Sequence, residues 1–300
     1  MYAITGATGN IGKAIAIEIL SKGKKVRAIG RNAEKLKELT GRGAESAIGD
    51  LYDSVFVQKA FAGCDAVFCM IPPNMQATDF ISDQKRIVTN YVNAVKVNNI
   101  KYVLLLSSIG AHLRNGAGIV DGLGLLEERF SELKDVNVLN LRCGYFMENL
   151  FGQLEMIKHT GVIGSSIKAD LSFPMVATRD IAAYAAKCLL SLNFKGNTTD
   201  FLLGPRDVTY NEVAEIIGKS IGNHDLRYVE FSHEDAENGM VHAGFVSKNI
   251  AQLITGLSEA LNSGKALNAH TRTRENSSPT TIEEFVKVFK IKKRLADLHA

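Results

Sequence analysis

A doubly wound parallel α/β sheet, joined to a smaller and mostly helical C-terminal lobe, is the fold predicted for this 300-residue chain. Three observations predict it. Short apolar runs alternate with helical patterns through the first half, as successive βαβ crossovers require. Runs such as YVLLL (102–106) are apolar without alternation, the mark of strands covered on both faces. Between the first run and the first helical pattern lies TGATGNIG, a turn dense in glycine.

In chain order, strands are expected at MYAITG, KKVRAIG, SAIGD, AVFCMIPP, KYVLLLSS and VNVLNLR. The first helix, IGKAIAIEILSKG, sets Ile11, Ala14, Ile15 and Ile19 on one face and places Gly23 where a helix of that length would stop. SVFVQKAFAG and SDQKRIVTNYVNAVKVNN supply the next crossovers. Later, DIAAYAAKCLLSL reads as an amphipathic helix, DFLLGP as a further strand, and TYNEVAEIIGKSIG as a helix opened by a capping box of Thr209 and Glu212. From about Tyr228 the pattern is mostly helical, with GFVSKNIAQLITGL a helix whose apolar face closes a cleft or meets a partner. The nucleotide-binding type of domain is expected over 1–150, with 175–205 returning to it, and the smaller lobe over 206–300 plus 151–174.

Composition narrows the function classes. A net charge of +3 is spread along the chain, without the clustered basic stripe that direct nucleic-acid binding needs. The four cysteines, Cys64, Cys69, Cys143 and Cys188, have no paired metal spacing and fall in or beside strands and in a helix, which reads as buried thiols in a reducing cytoplasm. No apolar run approaches the roughly 18 residues of a membrane span. The histidines show no ligand spacing, and no metal is expected.

In TGATGNIG the glycines at 6, 9 and 12 are spaced G-x-x-G-x-x-G between a strand and a helix. Gly6 permits the tight turn, Gly9 lets the main chain approach a pyrophosphate, and Gly12 lets the helix pack on the strand. The helix N-terminus, at Asn10 and Ile11 beside Thr8, offers N–H groups and a favourable dipole to phosphates. A dinucleotide is therefore expected. NAD binders usually end the second strand in an acid that holds the ribose 2′-OH. Here the strand ends Gly30-Arg31-Asn32, with Lys35 one turn on, and a guanidinium suits a 2′-phosphate. NADP is expected over NAD. After the third strand, Asp50 is placed to meet the adenine amino group and Leu51 to cover its ring. Met70, Ile71 and Pro72 form a stiff rim after the fourth.

The fifth strand ends in Ser107-Ser108. Typical short-chain dehydrogenases place a serine here and a Tyr-x-x-x-Lys on the next helix, whose lysine lowers the tyrosine pKa for proton transfer. None of the eight tyrosines has lysine four residues later, and the helix GIVDGLGLLEERF contains neither residue type.

TGATGNIG, Arg31, SSIGAH, LRCGYFMENL, VATRDIAAYAAKCL, FLLGPRDVTYNEVAEIIGKSIG and SSPTTIEEFVKVF together resemble the NmrA-like branch of the atypical short-chain dehydrogenases, over about residues 1–290. The resemblance implies a Rossmann domain with NADP preference and a small lobe over the nicotinamide end. It implies either an NADPH-dependent quinone or enone reductase or a catalytically silent sensor of the NADP pool acting through a protein partner. The missing Tyr-x-x-x-Lys is typical of the branch and does not choose between them.

For chemistry, a quinone is the most forgiving acceptor, because its reduced oxyanion is delocalised and can take a proton from water; a simple ketone would need the absent donor. Tyr145 and Phe146 follow the sixth strand, where they can contact the nicotinamide or acceptor or form core between the lobes. Asn149 could donate to a carbonyl oxygen, and His112 could donate a proton. The run HTRTREN, with His270, Arg272 and Arg274, could line an anionic substrate entrance, but reads rather as a solvated loop. A small-molecule acceptor is the expected partner, and a second copy of the chain or a regulatory protein stays open.

Overall fold

Strands that are apolar on both faces need helices on both faces, and the computed structural model, which describes residues 1–287, supplies them. The chain runs β1 (Tyr2–Ile4), α1 (Asn10–Ser21), β2 (Val26–Gly30), α2 (Ala33–Gly41), β3 (Glu45–Ile48), α3 (Ser54–Phe61), β4 (Ala66–Cys69), α4 (Phe80–Val97), β5 (Tyr102–Ser108), α5 (Asp121–Ser131) and β6 (Asn137–Cys143). It continues through β7 (Tyr145–Phe146), α6 (Leu154–Thr160), β8 (Val162–Ser165), β9 (Phe173–Val176), α7 (Thr178–Ser191), β10 (Asn197–Leu202) and β11 (Asp207–Val208). Then follow α8 (Tyr210–Ile221), β12 (Arg227–Glu230), α9 (His233–His242) and α10 (Lys248–Asn262), and residues 282–287 are again helical.

Seven parallel strands form one sheet in the order β10-β6-β5-β4-β1-β2-β3. Strand order reverses at β1, with β2 on one side and β4 on the other, which opens a crevice at the carboxyl ends of that pair. One face buries Ile4, Leu104 and Leu141 with Ile15 and Ile19 of α1 and Ala182 and Leu189 of α7. The other buries Val67 and Leu105 with Ile87 and Tyr91 of α4 and Leu126 and Phe130 of α5. Because both α7 and β10 belong to this sheet, the chain leaves it after β6 and comes back.

A second core gathers Phe173, Met175, Tyr210, Ile217 and Phe285. The lobe around it is mostly helical, as the sequence suggested, with α6, α8, α9 and α10, but it also carries strands that the sequence did not show. It holds a three-stranded sheet, β11-β9-β7, and a two-stranded one, β12-β8, and Tyr228 itself lies in β12. β8 has four residues and pairs in parallel with a strand more than sixty residues later, so no local alternation or hairpin turn announces it. The capping box is formed: Thr209 Oγ1 accepts from Glu212 N at 3.1 Å, and Glu212 accepts from Thr209 N at 2.9 Å. HTRTREN is an irregular loop with Thr271, Thr273, Arg274 and Glu275 exposed, and within it Arg272 is held by the Gly204 carbonyl and the Asp207 carboxylate. Residues 288–300, which include His299 and the end of the quoted SSPTTIEEFVKVF, lie outside the described residues. Among the described residues, no helix is long and apolar enough to cross a membrane, and no cluster of His, Cys, Asp and Glu could hold a metal.

Candidate functional site

Gly6 sits at φ +64, a backbone region that glycine enters freely, and closes the turn by accepting from Gly9 N at 2.9 Å. Helix α1 then starts at Asn10 with Gly9 as an extended N-cap and no side chain capping it. The N–H groups of Asn10, Ile11 and Gly12 therefore meet no side-chain acceptor, which is the arrangement that takes a phosphate. A Cβ on Gly12 would stand 2.5 Å from the Gly6 carbonyl oxygen, so the cradle depends on that residue having none. Thr5 braces the turn across the crevice: its hydroxyl donates to the Phe68 carbonyl at 2.9 Å and accepts from Met70 N at 2.9 Å. The Met70 carbonyl in turn accepts from the Tyr91 hydroxyl at 2.7 Å.

Beside this turn is a cavity of about 270 Å³ whose lining includes Gly6, Thr8, Arg31, Asp50, Leu51 and Pro72, and also Tyr52, Asn74 and Gln76. Six of the sequence-selected residues thus meet in one groove. Arg31 is exposed and, like Lys35 on α2, has no ion-pair partner among the described residues. Asp50 is less free, since Oδ1 accepts from Tyr52 N at 3.0 Å. Leu51 is 7% exposed and packs in the α3–α4 layer, and Ile71 is buried there too. Tyr52, which the sequence reading passed over inside GDLYD, holds the Arg86 guanidinium 5.5 Å from its ring centre.

The rim of this groove is fastened to the far end of the chain. Ser247 N donates to the Met75 carbonyl at 2.9 Å and Ser247 Oγ to the Ala77 carbonyl at 2.5 Å. Gln76 Nε2 donates to the Gly244 and Phe245 carbonyls at 3.2 and 3.3 Å. Phe80 N donates to Asn249 Oδ1 at 2.9 Å, and Ala77, Phe80, Val246 and Ile250 close a small apolar cluster beneath.

At the other end of the crevice the selected residues are engaged with one another. Ser107 is buried and donates to Glu127 at 2.5 Å, while Arg142 donates to the same carboxylate through Nε at 3.0 Å and Nη2 at 2.5 Å. Glu127 lies on α5, the helix on which a Tyr–Lys pair would stand. Ser108 is half-exposed at the strand end, opposite Cys143. Tyr145 packs edge-on to Phe173 at 5.6 Å, and its hydroxyl accepts from Tyr210 at 3.2 Å and also bonds Asn149. Burial raises the Tyr145 pKa, with no lysine to oppose it, so this hydroxyl is a weak acid. Phe146 packs into the α1–α7 layer. Asn149 is exposed, whereas His112 is half-buried with Nε2 bonded to Asn268 Oδ1 at 3.1 Å.

Residues 6–122 match a family model described as NAD(P)H-binding. An NAD(P)H azoreductase of Xenophilus azovorans is 27% identical over 81% of this chain and 82% of that protein. The NADPH-dependent quinone oxidoreductase QOR2 of Escherichia coli, solved with NADPH, superposes with a TM-score of 0.81 at 22% identity, covering 96% of this chain and 99% of that one. The triphenylmethane reductase of a Citrobacter species, solved with NADP(H), gives a TM-score of 0.79 at 23% identity with the same coverage. These likenesses show the fold, and together with the family match they agree with the resemblance to the NmrA-like branch.

Proposed function

We propose that this chain, whose residues 6–122 make an NAD(P)H-binding domain, is an NADPH-dependent oxidoreductase that reduces a quinone or a conjugated carbonyl. The observation that carries the reading is the uncapped N-terminus of α1 behind a glycine cradle, continuous with a groove that ends in the unpaired Arg31. Gly6, Gly9 and Gly12 with the first N–H groups of α1 would hold the pyrophosphate, and Arg31 with Lys35 the 2′-phosphate. The bound nicotinamide would supply the hydride; the protein supplies orientation and exclusion of water. Azoreductase and quinone-oxidoreductase relatives point to acceptors whose electrons are delocalised. The rest of the site agrees with such acceptors. Ser107 is locked to Glu127, and the half-buried Tyr145 is bonded to Tyr210 with no lysine beside it, so neither offers the activated hydroxyl that a simple ketone demands.

Absorbance at the NADPH band, followed with a panel of quinones and enals, tests this directly. Turnover of about 1 per second or more on a panel member is the expected result. Tight NADPH binding by calorimetry with no oxidation on any acceptor would overturn it and favour an NADP-sensing regulator with a protein partner.

A further inference from the structure

Past the end of β5 lies a cluster that this reading leaves unused. His112 sits in the turn Ala111–Leu113, which packs against the turn Lys265–Leu267 on the path from α10 to His270. His112 Nε2 donates to Asn268 Oδ1 at 3.1 Å. With that N–H engaged, the neutral ring carries its lone pair on Nδ1. Nδ1 of His112 and Nδ1 of His270 are both buried, and neither has a hydrogen-bond partner. His270 lies on the same side of this packed pair of turns, and the charge of His112 acts on it. His270 leans on Phe201 with ring centres 5.5 Å apart, and Phe201 borders Arg142, which holds Glu127 and through it Ser107. Two unsatisfied nitrogens inside one small region at the carboxyl edge of the sheet are costly, and they await a polar ligand atom.

We propose that His112, oriented by Asn268, is the proton donor of the reductase and that its unpartnered Nδ1 meets the acceptor's heteroatom. The assignment rests on the reductase reading above. In its acid form His112 donates from Nδ1 to an oxygen or nitrogen of the oxidised acceptor. As the hydride supplied by the reduced nicotinamide reaches the acceptor, the Nδ1–H bond breaks and an O–H or N–H bond forms. The neutral ring left behind accepts a hydrogen bond from the new group and regains its proton from water past the exposed Asn268. Burial, with Arg272 and His112 adding to it against the opposing pull of Asp207, holds His270 below the usual imidazole range, so it stands as the neutral neighbour. The other charges around the turn are paired: Arg114 with Glu128 of α5, Arg142 with Glu127, and Arg272 with Asp207; Lys265 lies on the facing turn.

An acceptor whose reduced atom is strongly basic, such as an azo nitrogen, needs this donor more than a quinone does. That asymmetry separates a proton donor from a residue that only shapes the fold. Imidazole ¹⁵N spectra of the unmutated protein loaded with NADP⁺, recorded as 2-methyl-1,4-naphthoquinone or methyl red is added, should show the Nδ1 resonances of His112 and His270 moving. His112→Gln should lower kcat for methyl red about 100-fold but for the quinone only about tenfold, with NADPH affinity by calorimetry unchanged within about twofold. Unmoved resonances, or equal rates for His112→Gln and wild type on both acceptors, would overturn the assignment. Resonances that move in a protein with no turnover on any acceptor would uphold the binding site while removing the reductase reading beneath it.

Discussion

Arg31 follows β2 at the lip of the groove with no ion-pair partner among the described residues, and Tyr52 lines the same groove. Its role can be read from cofactor discrimination. Arg31→Asp removes a charge-assisted contact and adds repulsion, so NADPH should bind at least tenfold more weakly, about 1.5–3 kcal/mol, while NADH changes little. Calorimetry with both cofactors checks this, and equal losses would remove the 2′-phosphate assignment. Gly12→Ala would push a methyl into the Gly6 carbonyl, and both cofactors should then weaken together. The cysteines are quiet at this scale. Burial raises the pKa of Cys64, Cys69 and Cys143, and takes Cys188 up to about 11, so all four thiols stay protonated near neutral pH. Alkylation of the folded protein by iodoacetamide should be far slower than in urea.

Among elements, the contact of α5 with β5 and β6 is polar at its centre. The Glu127 and Arg142 side chains are 9% and 15% exposed, so removing one leaves the other charged and buried. Glu127→Ala should cost about 3 kcal/mol in urea denaturation, more than an exposed ion pair would. The Gly118 turn before α5 is as demanding. It has φ +57, and an added Cβ would lie 2.6 Å from Leu257 N of α10, so Gly118→Ala should destabilise by about 2 kcal/mol. The capping box gives a pH signature. Its hydrogen bond from the Thr209 main chain holds Glu212 below the usual carboxylate range. A depressed folded pKa contributes stability above the unfolded value, about 4.3, and loses it as pH falls further. Glu212→Gln should therefore narrow its stability gap to wild type in acid. That box was legible from TYNE alone, since both partners sit within one helical turn. Glu127 was not: it is twenty residues from Ser107, and on a helix reading LLEERF it passes for a solvated charge.

Over the whole molecule, legibility follows the range of the interactions. The large sheet showed in the sequence because each of its central strands is an unbroken apolar run followed by a helix. The loops after the second, third and fourth strands, which line one groove with the glycine turn, were legible as well, because each follows a strand of that sheet. The lobe's strands did not show, because residues such as Val162 and Arg227 meet only through tertiary pairing. Nor did the fastening of Met75, Gln76 and Ala77 to Gly244–Ser247, which joins positions about 170 apart. This fastening should make the lobe respond to a cofactor bound in the groove. NADPH at one hundred times its Kd should stabilise the fold by roughly 2.7 kcal/mol and raise Tm by several degrees. Hydrogen exchange should slow at Ser247 and Asn249 along with the glycine turn; protection confined to the turn would mean that the two halves move independently.

The Gln76 contact also bears on how such a chain can be remodelled. A nucleotide-binding half is often treated as a cassette, to be cut out or given a new neighbour. Here the wall of the groove beside the glycine turn is hydrogen-bonded to main-chain carbonyls at Gly244 and Phe245, so a chimera that replaces the lobe from β11 onward removes part of that wall's support. Exchange of acceptor specificity by grafting would have to carry the 244–249 turn of this chain along with its own 74–80 loop, or both lose their register.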